Sequence, residues 1–238
     1  MKPGVLILLL LAMSCSRSDQ PAIAEVPVLP DRQLNAAFVI VDGTYNTELV
    51  APMDVLQHTA FHTPHGIKVF TVAPTRDTVT TFEGLRLLPD FAMATDSLPA
   101  IDLLVVPSAQ HSMDTDLTNP ALIEFVRTHG RQALYVMSLC DGAFVLAKAG
   151  LLDAHVCTTF PADIVRFREA FPQLAEVREQ VSFVHDRSAI SSAGGARSYE
   201  AALYLVEALY GRDVARNVSS GLVIDWDLAS VPHYRTPF

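Results

Sequence analysis

Cysteine is scarce in this chain, with Cys15, Cys140 and Cys157 the only three among 238 residues. That is too few for a disulfide scaffold, so the fold must hold by its core. Basic residues are also short, with 17 Lys and Arg against 26 Asp and Glu and a net charge of −9. A deficit of that sign argues against a nucleic-acid binder, because affinity for phosphate backbones rests on Lys and Arg. The sequence has no Walker-type loop, no dinucleotide fingerprint and no CxxC pair, so neither a cofactor nor a resident metal is expected. No internal repeat and no block of like charge stands out. What the chain does have is apolar residue: half is hydrophobic and only 18% is charged. That balance suits one α/β unit whose sheet is covered by helices on both faces.

Lys2 precedes an apolar run from Val5 to Ala12, followed by Met13-Ser14-Cys15. The run is too short to span a bilayer, and its basic start and small-residue end fit a secretory signal over residues 1–15. Leu11-Ala12-Met13-Ser14-Cys15 resembles a bacterial lipobox, in which Cys15 becomes the lipidated first residue, although Ala12 stands where leucine is preferred. Cleavage after Ala22-Ile23-Ala24 is the rival, but that site lies far beyond the apolar run. The expectation is an exported lipoprotein on the periplasmic side of a membrane, touching the membrane only through its lipid anchor. Residues 16–33 are polar, carry Pro21, Pro27 and Pro30, and read as a tether to a domain over residues 34–221.

Within that domain, Ala36 to Val41, Ile101 to Val106 and Ala133 to Met137 are continuous apolar runs, as expected of buried parallel strands. Lys68 to Ala73 is a fourth candidate, and Thr80 to Phe82 with Leu85 to Leu88 suggest a hairpin about Glu83-Gly84. Helices are predicted from Pro52 to about Phe61, over Ala121 to Thr128 behind an Asn119 cap, and over Asp141 to Ala149 up to Gly150. Two more are predicted over Ala162 to Phe171 and Ser198 to Tyr210. Strands alternating with helices give a flavodoxin-like, doubly wound and mostly parallel sheet with helices on both faces. Ligands bind such sheets at the carboxyl ends of the strands, which points to the loops after Val41, Val106 and Met137.

The last of those loops carries the strongest local signal. Ser138-Leu139-Cys140-Asp141-Gly142-Ala143 joins a buried strand directly to a buried helix, the logic of a nucleophile elbow. Small residues such as Gly142 let helix and strand approach, and the helix N-terminus is expected to lower the thiol pKa. Amides beside the thiol can hold a developing oxyanion. On pattern alone, a buried structural cysteine is an almost equal alternative. Cys157, in a strand predicted over Val156 to Thr159 with no elbow, reads as structural. A Cys140–Cys157 disulfide is conceivable in an oxidising compartment, and spacing does not establish it.

The stretch from Ser138 to Ala147, followed by Ala149-Gly150-Leu151-Leu152-Asp153, resembles the elbow and following helix of the PfpI superfamily, which is class I glutamine amidotransferase-like. Isonitrile hydratases and the sensing domains of AraC-type regulators are its nearest branches. Val41-Asp42-Gly43 through Glu48-Leu49-Val50-Ala51-Pro52 resembles the family's first strand and helix start, and Ser191-Ser192-Ala193-Gly194 with Ala201 to Gly211 its late strand and closing helix. The resemblance implies Glu48 as the acid that hydrogen-bonds the nucleophile or moves a proton, and a homodimer. Read from residues alone, Glu48 is an ordinary acid at a helix start. Asp141 and Ala109 are the amides that would stabilise charge, with Gly142 lining the pocket.

The chain also departs from the family. Asp141 follows the nucleophile where His or Thr is usual, and an inward carboxylate would oppose thiolate formation. At the head of a helix it would more naturally turn to the amides, and the residues leave both open. Thr158-Thr159-Phe160-Pro161 stands where the branch has Thr-Thr-His-Trp, and Pro107-Ser108-Ala109 where the family has Pro-Gly-Gly. His58, His62 and His65 cluster without an evident ligand set and read as surface or packing residues, while His111 could line the site mouth. The reading reached is a cofactor-free cysteine hydratase or hydrolase acting on a small molecule. The alternative is a ligand- or redox-sensing envelope domain without turnover. The tail over 222–238, with Trp226, Tyr234 and Phe238, is expected to dock on the domain or at a dimer interface, a solvated tail being the other reading.

Overall fold

Unbroken apolar runs belong to strands covered on both faces, and β1 (Leu34–Val39) shows how this chain achieves it. Ala36 and Phe38 pack into one core, while Ala37 and Val39 pack into another on the opposite face of the sheet. The computed structural model describes residues 29–237. After β1 come α1 (Asn46–His58), β2 (Ile67–Ala73), a small antiparallel hairpin of β3 (Val79–Thr80) and β4 (Arg86–Leu87), then β5 (Phe91–Ala92) and β6 (Leu103–Val106). The chain continues through α2 (Pro120–Gly130), β7 (Tyr135–Leu139), α3 (Gly142–Lys148), β8 (Val156–Cys157), α4 (Ile164–Ala170) and β9 (Glu176–Val177). It closes with β10 (Phe183–Asp186), β11 (Ala189–Ser192), α5 (Arg197–Tyr210), α6 (Arg212–Gly221) and β12 (His233–Arg235).

Eight strands form one sheet in the order β12-β10-β11-β7-β6-β1-β2-β5. Every pairing in it is parallel except β10 with β11. One core includes side chains of α1, α5 and α6, the other side chains of α2, α3 and α4. The fold is the mostly parallel flavodoxin-like sandwich that the alternating pattern implies.

Helix starts were harder to read than helix faces. Asn119 caps α2 as expected, its Oδ1 accepting from the Leu122 amide at 3.2 Å, with Pro120 in the first turn. Pro52, by contrast, lies inside α1 and does not open it. The helix begins at Asn46, whose free amide is taken by the Glu83 carboxylate at 3.0 Å, and Leu49, Ala51, Val55 and Leu56 are buried along it. Tertiary burial therefore outweighs the hydrogen bond that proline removes. The shift matters because it places Glu48 in the first turn of α1.

Residues 223–237 dock on the domain. Trp226 is nearly buried and donates through Nε1 to Glu207 at 2.7 Å, and β12 pairs with β10 as an edge strand. The apolar run of residues 1–15, the lipobox cysteine Cys15 and most of the tether lie outside the described residues. No helix among those described is long and apolar enough to cross a membrane.

Candidate active site

Three loops at the carboxyl ends of β1, β6 and β7 build the site, and backbone bonds lock the first two together. The Tyr45 amide donates to the Ser108 carbonyl at 3.1 Å, the Gln110 amide to the Gly43 carbonyl at 3.0 Å, and Thr44 bridges Ala109. Thr44 also closes its own turn by exchanging bonds with Val41. The β3–β4 hairpin ties in from outside, through Gly43 to Thr80 and Phe82 to Thr44, with Tyr45 and Phe82 in ring contact. These links hold Glu48 and Ser108 side by side.

Cys140 sits at the turn from β7 into α3 with φ of +53°, a left-handed conformation that costs a non-glycine residue about 1–3 kcal/mol. The turn is enforced from two sides. Its amide donates to the Ser192 carbonyl at 3.0 Å, while its carbonyl accepts from the Thr159 hydroxyl at 3.1 Å. Gly142 lies against the end of β6, where an added Cβ would come within 2.1 Å of the Val106 carbonyl oxygen. Cys140 is only 7% exposed.

Glu48 is buried beside it. One carboxyl oxygen accepts from the Ser108 hydroxyl at 2.6 Å, the other from the Gly195 amide at 2.9 Å. Ser108 is fully buried and lies within hydrogen-bonding reach of the Cys140 thiol, as does the Asp141 amide. The structure thus brings together Cys140, Glu48, Asp141 and Gly142, with Ser108 between the acid and the thiol. The Ala109 amide is engaged elsewhere, donating to Ser112 Oγ at 2.8 Å, so holding an oxyanion there would require that bond to open.

The electrostatics correct one expectation. Burial pushes the Cys140 thiol up first, and the carboxylates of Glu48 and Asp141 push it further. The Ser108 hydroxyl and Asp141 amide pull the other way without prevailing. The resting group is therefore a thiol and not the lowered-pKa cysteine that a helix N-terminus suggests. Asp141 is part of the reason. Its side chain makes no cap bond to α3; its Oδ1 lies 3.0 Å from Thr159 Oγ1, whose one hydrogen it shares with the Cys140 carbonyl, and the carboxyl lies against the cysteine. Burial, and then Asp163, raise its carboxyl to about 6. Tyr45 is raised as well, by burial and then by Cys140, Glu48, Asp141 and Glu83.

Cys157 is a free buried thiol, as is Cys140, and no disulfide joins them. Its sulfur contacts the Glu176 carbonyl, and burial raises it to about 12. His111 is half exposed and pairs with Asp114, while His58 pairs with Asp54 and His65 with Asp31. Among the described residues no three His, Cys, Asp or Glu side chains converge on a metal-sized site. A cleft of about 350 Å³ includes Phe160, Ser182, Gly194 and Arg197 in its wall, and Gly194 is also packed against Cys140.

Ser108, Thr159, Gly194 and Gly195 are the site residues that sequence reasoning missed. Ser108 was visible only as a departure from a familiar pattern, and Thr159 only as a position that matches one. The glycine pair follows Ser191-Ser192-Ala193, a stretch read as a strand end, with no local mark of its contact with Cys140.

Several known proteins are similar to this chain. The HTH-type transcriptional regulator GbdR of Pseudomonas aeruginosa is 28% identical over 155 residues, covering 65% of this chain and 41% of the regulator. This chain thus matches about two fifths of that relative's length. The isonitrile hydratase of Pseudomonas putida is 27% identical over 185 residues, covering 78% of this chain and 76% of the enzyme. A THiJ/PfpI family protein from Pseudomonas syringae superposes with a TM-score of 0.70 at 22% identity, over 91% of this chain and 84% of its own, which speaks to fold alone. The model of one family matches residues 35–208, a span that runs from β1 through the Cys140 elbow almost to the end of α5. On that match, the chain belongs to the DJ-1/PfpI family.

Proposed function

We propose that the protein is a cysteine-dependent enzyme of hydratase or hydrolase type, acting on a small electrophilic molecule in the manner of an isonitrile hydratase. The observation that carries this reading is the elbow itself. Cys140 is held at φ of +53° where strand meets helix, with an amide at its sulfur and a carboxyl one hydroxyl away. Four other non-glycine residues among those described also have positive φ, so it is the combination with the amide and the carboxyl that points to chemistry.

For an isonitrile the balance is simple. The thiol S–H adds across the terminal carbon, placing sulfur and hydrogen on that carbon and giving a thioimidate. Water then adds to the same carbon and the sulfur leaves, which yields a formamide and restores the thiol. Glu48 takes the thiol proton and returns it to the substrate. The Asp141 amide steadies charge at the sulfur. Incubation with a simple isonitrile, followed by mass spectrometry of products and of intact protein, tests this. Formamide release that disappears in Cys140→Ala supports the enzyme, and no product from either protein opposes it.

A second reading is a ligand- or redox-sensing domain that binds without turnover. The raised thiol favours ligand binding without turnover, because a resting cysteine flanked by two carboxylates is slow to ionise, and it weighs against redox sensing, which needs an accessible thiolate. The similarity to a transcriptional regulator favours ligand binding too. Ligand-induced thermal stabilisation without product formation would be its signature.

An exported lipoprotein is also proposed, on the apolar run ending at Cys15. Labelling with radioactive palmitate in cells should mark the chain and spare Cys15→Ala.

A further inference from the structure

Glu48 and Cys140 are usefully placed only if a proton can pass between them, and the hydrogen-bonding side chain at the thiol is Ser108, whereas Glu48 acts on it through charge. Both Glu48 oxygens already accept hydrogen bonds, one from Ser108 Oγ at 2.6 Å and one from the Gly195 amide at 2.9 Å. Ser108 is fully buried, and the Tyr45 amide donates to its carbonyl, so its backbone is fixed, and its hydroxyl lies against both the Glu48 carboxyl and the thiol. A hydroxyl has one hydrogen and two lone pairs, so it can point that hydrogen at only one of its two neighbours at a time.

We propose that Ser108 is the positioning residue of this site, a hydroxyl relay through which Cys140 passes its proton to Glu48. The inference rests on the reading of Cys140 as a nucleophile given above. In the resting state the Ser108 hydrogen points at Glu48 Oε2. On activation the thiol S–H proton moves to Ser108 Oγ while the Ser108 hydrogen moves to Glu48. The products are a thiolate, a serine hydroxyl that now donates to it, and a neutral Glu48 carboxyl that donates to Ser108. One proton leaves sulfur, one arrives on the carboxylate, and no other co-reactant is needed.

The relay state removes the two charges that would otherwise stand together, since Glu48 becomes neutral as sulfur becomes negative. Asp141 still faces the sulfur from the head of α3, with Asp163 behind it. Tyr45 also faces the cluster, with Glu83 beyond it. These groups set the overall level of the thiol, whereas Ser108 joins it to Glu48.

The test is a double-mutant cycle read by alkylation of Cys140 in the full chain, resolved by peptide mass spectrometry across pH. Glu48→Gln should lower the midpoint, because it removes a neighbouring negative charge and its amide can donate to Ser108. Ser108→Ala should raise the midpoint by about one pH unit, through loss of a hydrogen bond to the thiolate. Ser108→Thr, which keeps the hydroxyl, should restore most of that. In the Ser108→Ala background the Glu48→Gln shift should shrink to less than half. Ser108→Gly gives the same comparison should the alanine variant lose its fold by circular dichroism.

An equal Glu48→Gln shift with and without the Ser108 hydroxyl would overturn the relay and leave the reactive cysteine standing. A Cys140 that resists alkylation at every pH, in wild type and Glu48→Gln alike, would overturn both.

Discussion

Gly194 and Cys140 are in backbone contact: a Cβ built on Gly194 would lie 2.3 Å from Cys140 Cβ and 2.8 Å from its Cα. Gly194 also has φ of +80°, so both its shape and its conformation suit glycine. The end of β11 is thereby pressed onto the elbow, which helps hold the cysteine in its strained turn.

Gly194→Ala should therefore destabilise the protein by about 2–4 kcal/mol and slow Cys140 alkylation, since the atoms in the way are main-chain or Cβ. Gly84→Ala is the matched control. Gly84 has φ of +90° but open space around it, so only the conformational cost of about 1 kcal/mol should appear, with Cys140 unaffected. Urea denaturation of both variants separates the steric from the conformational contribution.

Gly142→Ala acts on the other side of the turn. Its Cβ would meet the Val106 carbonyl oxygen at 2.1 Å and press on Pro107, the residue before Ser108. A loss of about 3 kcal/mol or more is expected, with reduced Cys140 reactivity at pH values where the variant stays folded.

Asp141 should make stability depend on pH. Its carboxyl titrates at about 6 in the fold against 3.8 when unperturbed, so the folded state binds the proton more tightly. That contribution is fully present below about pH 4 and is lost as pH rises through 6. Asp141→Asn should thus be more stable than wild type at pH 7, by at most about 3 kcal/mol, with the advantage fading toward pH 4. Because Asn keeps an acceptor for Thr159, denaturant midpoints across this range read mainly the lost charge.

His185 has the opposite sign. Its Nε2 must carry a hydrogen to donate to the Arg187 carbonyl at 2.8 Å, so Nδ1 accepts from the Tyr204 hydroxyl at 2.6 Å. Burial, first of all, lowers the ring to about 4. The stability of the neutral ring is present above pH 6.5 and is lost as pH falls through 4. Replacing His185 with Gln should flatten the acid limb of the stability curve in that window, at some cost in stability at pH 7.

The fold was legible because its central strands are buried on both faces, and such runs as Ile101 to Val106 need no partner to be recognised. The elbow was legible for a similar reason: a strand, a cysteine, two small residues and a helix are contiguous. Less legible was everything made by contact between distant segments. Glu48 meets the Gly195 amide across 147 positions, and Asp141 turns to Thr159 instead of its own helix. Local logic set the cysteine pKa in the wrong direction because burial, the approach of Glu48 and the inward turn of Asp141, which the residues left open, are decided by tertiary packing. The amide at the helix start is the weaker influence. Pro52 misled in the same way, since packing of α1 outweighed a local rule.

The most direct test of the account is the pH dependence of Cys140 alkylation in the full chain, compared between wild type and Glu48→Gln. A reactive thiol is expected whose midpoint lies above the ordinary cysteine value of about 8.5 and falls when Glu48 is neutralised. A thiol that is never alkylated, or one whose profile is indifferent to Glu48, would contradict the claim that this carboxyl and this cysteine form one reactive site.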